Sequence, residues 1–187
     1  MIERTLVLIK PEGVYRALIG KVITTFEDAG LKIVGIKMVR PDKDLAGKHY
    51  AADEEWLTSV GRKTKESAQK KGIEIKESEI EIGNRVRNML LAHLTSGPVI
   101  AIALEGNEAI YVVRKLTGGT EPRSADPSSI RGRYGLDSYE MGDLKGRPVR
   151  NVVHASEDAK AAKKELSLWF KDSELVDYHR ADEEHIY

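Results

Sequence analysis

Apolar positions along the chain fall either in short unbroken runs or three and four residues apart, and this predicts strands alternating with helices. Thr5-Leu6-Val7-Leu8-Ile9-Lys10 is a short apolar run closed by Pro11 and Gly13, so it predicts a buried strand ending in a loop, with Lys10 at the strand end. From Ala17 to Ala29, Leu18, Ile19, Val22, Ile23 and Phe26 follow the helical period, and Gly30 stands where a left-handed cap belongs. Leu31 to Arg40 partly alternates and is stopped by Pro41, which predicts a second strand with Lys32, Lys37 and Arg40 partly outward. A short helix follows from about Asp42 to Tyr50.

The stretch from Ala51 to Glu81 breaks this rhythm. Arg62, Lys63, Lys65, Lys70 and Lys71 are interleaved with acids and show little apolar periodicity, so we expect a charged helical insertion on the surface, partly mobile. The helical face returns from Ile82 to Leu94 through Val86, Met89 and Leu90, and Val99 to Glu105 is an apolar run suited to a central strand. Ala109 to Leu116 reads as helix. Thr117 to Arg133 carries Gly, Pro, Ser, Asp and Arg without periodicity, and a loop of that length in a compact domain points to binding. Arg150 to His154 is a last short strand, and Glu157 to Phe170 an amphipathic helix with Ala159, Ala162, Leu166 and Phe170 on one face. Strands and helices in this order predict an α/β (α+β) fold. The closest match is a ferredoxin-like βαββαβ sandwich with a four-stranded antiparallel sheet and added helices, one domain over 1–187.

Composition narrows the chemistry. Lys plus Arg and Asp plus Glu are both 30, so no global field marks a nucleic-acid binder, and any anion must be held by a local cluster. In the charged insertion the acids between the cations, with Trp56 the sole aromatic, argue against a single-strand platform. The absence of cysteine excludes disulfides, thiolate metal sites and a thiol nucleophile, and fits a reducing interior. With no secretory pattern at the N-terminus and no run of about 18 apolar residues, we expect a cytoplasmic protein that does not engage a membrane. There is no Walker A loop, no protein-kinase pattern and no metal-ligand spacing of His, Asp and Glu.

Asn151-Val152-Val153-His154-Ala155-Ser156 places an imidazole after a buried strand and before a helix, where a neutral ring can be fixed and exposed to an anion. A lone histidine in such a setting is more often structural. Here Glu165 follows on the next helix and could fold back with Ser156 to orient the ring. Lys10, Arg114 and Arg131 sit on separate elements, as cations gripping a triphosphate would, and Thr120 adds a hydroxyl beside Gly118-Gly119. Singly, each of these is also an ordinary surface or turn residue.

Taken in order, Glu3-Arg4-Thr5 to Lys10-Pro11-Glu12-Gly13-Val14, Thr95-Ser96-Gly97-Pro98-Val99, Ile130-Arg131-Gly132 and Asn151 to Ser156 resemble the nucleoside diphosphate kinases. Leu168-Trp169-Phe170 and Glu174 to Tyr178 extend the resemblance toward the C-terminus. The resemblance implies ping-pong transfer of a γ-phosphoryl group from a nucleoside triphosphate to a nucleoside diphosphate, with His154 as the phosphorylated nucleophile. It implies that Lys10, Arg114, Thr120 and Arg131 meet the phosphates, that Asn151 and Lys10 meet the sugar, and that Tyr50, Ser156 and Glu165 support the histidine. It also implies Mg2+ carried by the nucleotide phosphates, with no protein metal ligand, and a homo-oligomer, a hexamer favoured. The pattern departs in the insertion after Tyr50 and in an extra stretch within Gly135 to Arg150. Val86 stands where an aromatic residue usually stacks on the base, with Leu90 at the neighbouring apolar contact. Arg133-Tyr134 and Glu157 replace the usual residues at their positions. A second reading keeps the fold as a nucleotide-binding or regulatory module with weakened catalysis.

Overall fold

The computed structural model describes residues 1–50, 52–69 and 72–186. Ala51, Lys70 and Lys71, which belong to the charged stretch, lie outside the described residues. Strands β1 (Ile2–Ile9), β2 (Lys32–Val39), β3 (Val99–Asn107) and β4 (Val153–Ala155) form one antiparallel sheet in the order β2-β3-β1-β4. The helices are α1 (Pro11–Tyr15), α2 (Ile19–Asp28), α3 (Lys43–His49), α4 (Glu54–Gln69), α5 (Glu79–Leu94), α6 (Ala109–Thr117), α7 (Ile130–Tyr134), α8 (Tyr139–Leu144), α9 (Ala159–Trp169) and α10 (Glu183–Ile186). This is the ferredoxin-like βαββαβ sandwich with added helices.

The central strands read as unbroken apolar runs because both faces of the sheet are covered. On β1, Val7 and Ile9 pack with Val22, Phe26, Ile102 and Leu104. Leu6 and Leu8, on the opposite face, pack with Val34, Ala101, Ala103, Trp169 and Phe170. Each Val, Leu, Ile or Phe among them, fully buried, contributes about 1.5–3 kcal/mol of transfer free energy. The register pairs Leu8 with His154, so the β4 histidine lies on the Leu8 face, toward α9 and α3.

Four expectations need correction. Pro11 does not open a loop: fixed φ and a dispensable N–H suit it to the first turn of α1, so Lys10 becomes the residue before a helix. Lys32 is buried, because Glu105 and Glu183 hold its ammonium at 2.7 and 3.1 Å. The last strand is shorter and shifted, since Asn151 and Val152 belong to the preceding loop. The charged stretch is more than a surface excursion. α4 packs along α5, burying Leu57 and Gly61 against Ile82 and Gly83. A Cβ on Gly61 would collide with the backbone of Glu79, and one on Gly83 with that of Leu57, so the two helices touch backbone to backbone. Asp53 accepts from Trp56 N at 2.8 Å at the start of α4, and Ser78 with Glu81 forms a reciprocal capping box on α5.

Candidate active site

The loop that delivers β4 is the most constrained backbone in the site. Val152 has φ 69°, a left-handed conformation that a β-branched residue rarely takes. Its N–H donates to Glu12 Oε1 at 3.0 Å, and its carbonyl accepts from Lys10 N at 2.8 Å. Glu12 in turn meets His93 Nε2 at 2.8 Å. Burial opposes the ionised form of Glu12, yet His93 and Lys10 together bring its pKa down to about 2. The strained residue is thus held from both sides by α1 and the residue before it, which aims Asn151 and His154 on either side of it.

His154 Nε2 lies 2.9 Å from Glu165 Oε2, and Ser156 Oγ donates to the same oxygen at 2.6 Å. Glu165 reaches the ring because it sits on α9 one turn from Ala162 and Trp169, the buried side of that helix. Burial is the largest influence and works against its charge, but the bond and charge of His154, His49 and the Ser156 hydroxyl together outweigh it and hold the pKa below the usual carboxylate range. An ionised carboxylate only accepts, so the His154 proton sits on Nε2 and Nδ1 keeps its lone pair.

The cations converge from separate elements. Lys10 is buried and donates to Asn151 Oδ1 at 2.7 Å. Desolvation, with Arg131 adding repulsion and Glu12 opposing, lowers its pKa to about 8. Asn151 Nδ2 donates to Thr120 O at 2.9 Å, which ties the lysine to the glycine loop. Arg131 spans the carbonyls of Gly118 and Val153, both at 2.9 Å, while its buried Nε has no partner among the described residues. Desolvation first, and then Arg114, depress its pKa to about 10, with Tyr139 and Tyr50 opposing. Arg114 is exposed in the last turn of α6, and its charge acts on Arg131.

Tyr50 closes the far side. It caps α3, and its carbonyl accepts from Arg87 Nε at 2.6 Å. Burial raises its phenol pKa, helped by Glu12 and Glu165. Hydrogen bonds thus join Lys10, Asn151 and the Thr120 carbonyl in one set and His154, Ser156 and Glu165 in another, with Arg131 fixed to the Gly118 and Val153 carbonyls. Val86 and Leu90 are not part of either set. They stand one turn apart on α5, half-buried and outside both core clusters.

One residue of the site escaped the sequence reading. His49, the last residue of α3, packs edge to face on His154 with ring centroids 4.5 Å apart, and on Tyr50 at 4.7 Å. Its signal was adjacency to Tyr50, which the sequence did single out. His49, His154 and Glu165 bring ligand atoms within 4.8 Å of one another, a grouping that sequence spacing did not reveal. The tautomer disfavours a metal there. Trp169 Nε1 donates to His49 Nδ1 at 3.3 Å, which puts the His49 proton on Nε2 and leaves that atom no lone pair. Among the described residues no helix is long and apolar enough to cross a membrane.

The model of the nucleoside diphosphate kinase family matches residues 3–58 and 79–175. A nucleoside diphosphate kinase of Pyrobaculum aerophilum is 40% identical over 181 residues, 94% of this chain and 99% of that one. One of Borreliella burgdorferi is 39% identical over 188 residues, 100% of this chain and 99% of that one. The crystal structure of the Pyrobaculum aerophilum enzyme superposes with TM-score 0.91 at 39% identity, covering 95% of this chain and 100% of that one. A transition-state mimic of the Borrelia burgdorferi enzyme with bound vanadate and ADP gives TM-score 0.81 at 38% identity, over 100% of this chain and 97% of that one. Agreement of this kind along nearly the whole length, on top of the histidine geometry, places the chain in the nucleoside diphosphate kinase family.

Proposed function

We propose that His154 is the residue that carries the phosphoryl group in the reaction of this enzyme. That reaction is transfer of the γ-phosphoryl group of a nucleoside triphosphate to a nucleoside diphosphate through a phosphohistidine. The observation that carries the assignment is the bond from His154 Nε2 to Glu165, which leaves Nδ1 unprotonated and facing away from the carboxylate. In the first step the Nδ1 lone pair forms the N–P bond as the bond from the γ-phosphorus to the bridging oxygen breaks, and the diphosphate leaves. Positive charge grows on the ring opposite Glu165. In the second step a terminal oxygen of the acceptor diphosphate attacks the same phosphorus, and the N–P electron pair returns to Nδ1.

Lys10, Arg114, Arg131 and Thr120 serve both steps by stabilising charge on the phosphate oxygens, and Asn151 positions Lys10 beside the sugar. Val86 and Leu90 offer an aliphatic base contact in place of a stacking ring. Mg2+ fits this site as an ion held by nucleotide and water, because the nearby carboxylates are committed elsewhere, Glu12 to His93 and Val152, Glu165 to His154 and Ser156. When bound it neutralises phosphate charge. The protein acts as one domain in the cytoplasm, a reading that its lack of cysteine supports. It assembles as a homo-oligomer, for which the exposed Ile36 and Met38 on the edge strand β2 are a suitable surface.

The test is incubation with γ-labelled ATP and Mg2+ without acceptor, quenched in alkali, where phosphohistidine survives. Label on the wild type but not on His154→Ala, chased into GTP by GDP, is the expected result. Full turnover by a folded His154→Ala variant would refute the covalent assignment.

A further inference from the structure

His49 is a buried imidazole whose polar atoms are unevenly satisfied. Its Nδ1 accepts from Trp169, itself only 3% exposed, while Nε2 is buried with no hydrogen-bond partner among the described residues. Leaving such a donor unmade is costly, and a phenylalanine would fill the same space without it. The unpaired N–H belongs to a ring stacked edge to face on the nucleophile and grouped with Glu165 within 4.8 Å.

We propose that His49 is a positioning residue for phosphoryl transfer. Its ring walls the His154 imidazole, and its Nε2–H is a donor held for the charged His154–Glu165 pair that forms during the reaction. The proposal rests on the reading of His154 as the nucleophile. Three features support it. The wall limits rotation of the His154 ring, and a flip would exchange Nδ1 for Nε2 and break the Glu165 bond. Desolvation first, and then the charge of His154, lower the His49 pKa to about 3, so His49 stays neutral beside a ring that must become positive. The Trp169 bond fixes the His49 tautomer, which keeps the donor on Nε2.

The experiment compares single-turnover phosphorylation by γ-labelled ATP in wild type, His49→Phe, His49→Gln and His49→Asn, with ADP affinity and thermal midpoint measured alongside. A glutamine amide nitrogen reaches the place of Nε2 and keeps the donor, whereas an asparagine oxygen reaches the place of Nδ1 and keeps only the acceptor for Trp169. We expect His49→Phe to phosphorylate about tenfold to a hundredfold more slowly at saturating ATP, with ADP affinity unchanged. His49→Gln should recover more of that rate than His49→Asn. A wild-type rate in His49→Phe overturns the proposal, as does equal or better recovery by His49→Asn, which would reduce His49 to an acceptor for Trp169. Should His49→Phe fail to fold, the order of Gln and Asn still decides. A wild type that takes no label on His154 would instead remove the reading of the nucleophile, and this inference with it.

Discussion

Replacing Glu165 by glutamine tests the chemistry of the histidine with little change in shape. Glu165 Oε2 takes two hydrogen bonds, from His154 Nε2 at 2.9 Å and Ser156 Oγ at 2.6 Å. A bond to a charged partner contributes about 1.5–3 kcal/mol, and a neutral one about 0.5–1.5, so the exchange weakens each by about 1 kcal/mol. The loss grows along the reaction, because only the carboxylate answers the charge that builds on His154. Two unit charges about 4 Å apart at an effective dielectric near 20 attract by about 4 kcal/mol, which bounds the effect from above. An increase in barrier of about 1.5–3 kcal/mol corresponds to a fall in kcat of about tenfold to 150-fold. The KM for nucleotide should stay within about threefold, since Glu165 faces the histidine and not the phosphates. A coupled spectrophotometric assay for steady state and rapid-quench labelling for the first half-reaction measure both quantities. A Glu165→Gln variant with wild-type kcat and wild-type labelling rate would refute the argument that this carboxylate sets the His154 tautomer and balances its charge.

Three further outcomes follow from the same geometry. His49 has a pKa lowered to about 3 from 6.5, so the unfolded chain binds more protons between those values; its contribution is fully present above pH 6.5 and is lost as pH falls toward 3. At most about 5 kcal/mol is involved, and denaturant titrations across that window should show a shallower loss for His49→Phe; Glu165, Lys10 and Lys164 are the charged groups around His49 and His154 the other titratable one, so a slope unchanged from wild type would contradict the assignment. Gly61→Ala and Gly83→Ala should each lower stability by about 1–3 kcal/mol, read as a drop in denaturation midpoint, because the new Cβ meets backbone that cannot rotate away. Arg131→Lys should reduce kcat/KM by about tenfold or more, since one ammonium cannot span the carbonyls of Gly118 and Val153 while also facing phosphate; an unchanged kcat/KM would show that point charge alone suffices.

What the sequence disclosed follows from how each part is stabilised. β1, β2, β3, α2 and α9 bury side chains, so burial leaves a periodic trace that can be read directly. The α4–α5 contact leaves none. It is made where Gly61 and Gly83 let backbone meet backbone, with Leu57 and Ile82 buried beside them, too few apolar positions to show a period among the charged ones. α1 was hidden because Lys10-Pro11-Glu12-Gly13-Val14 reads locally as a turn, and the hydrogen bond by which Glu12 holds Val152 spans 140 residues of chain. Most of the residues that converge at the candidate site were legible because they fall in short motifs around β4, β1 and the glycine loop. His49 was not, since its importance is a ring contact between α3 and β4 that no local pattern announces.

The cation arrangement explains how a chain with 30 basic and 30 acidic residues can bind a polyanion. Lys10 and Arg131 both have depressed pKa values, desolvation first and their neighbours' positive charge after it. Surface lysines would avoid that cost in water. Here the carbonyls of Gly118 and Val153, the side chain of Asn151 and the buried Glu12 hold the cations in place. If these cations meet the phosphates as proposed, an anion between them would relieve that repulsion and so gain binding free energy from it. The same fixed frame supplies the His154 tautomer through Glu165 and the strained Val152 through Glu12. On the proposed reading, nucleophile and phosphate grip are set by neighbouring groups of buried polar contacts, so little reorganisation is needed once the nucleotide is bound.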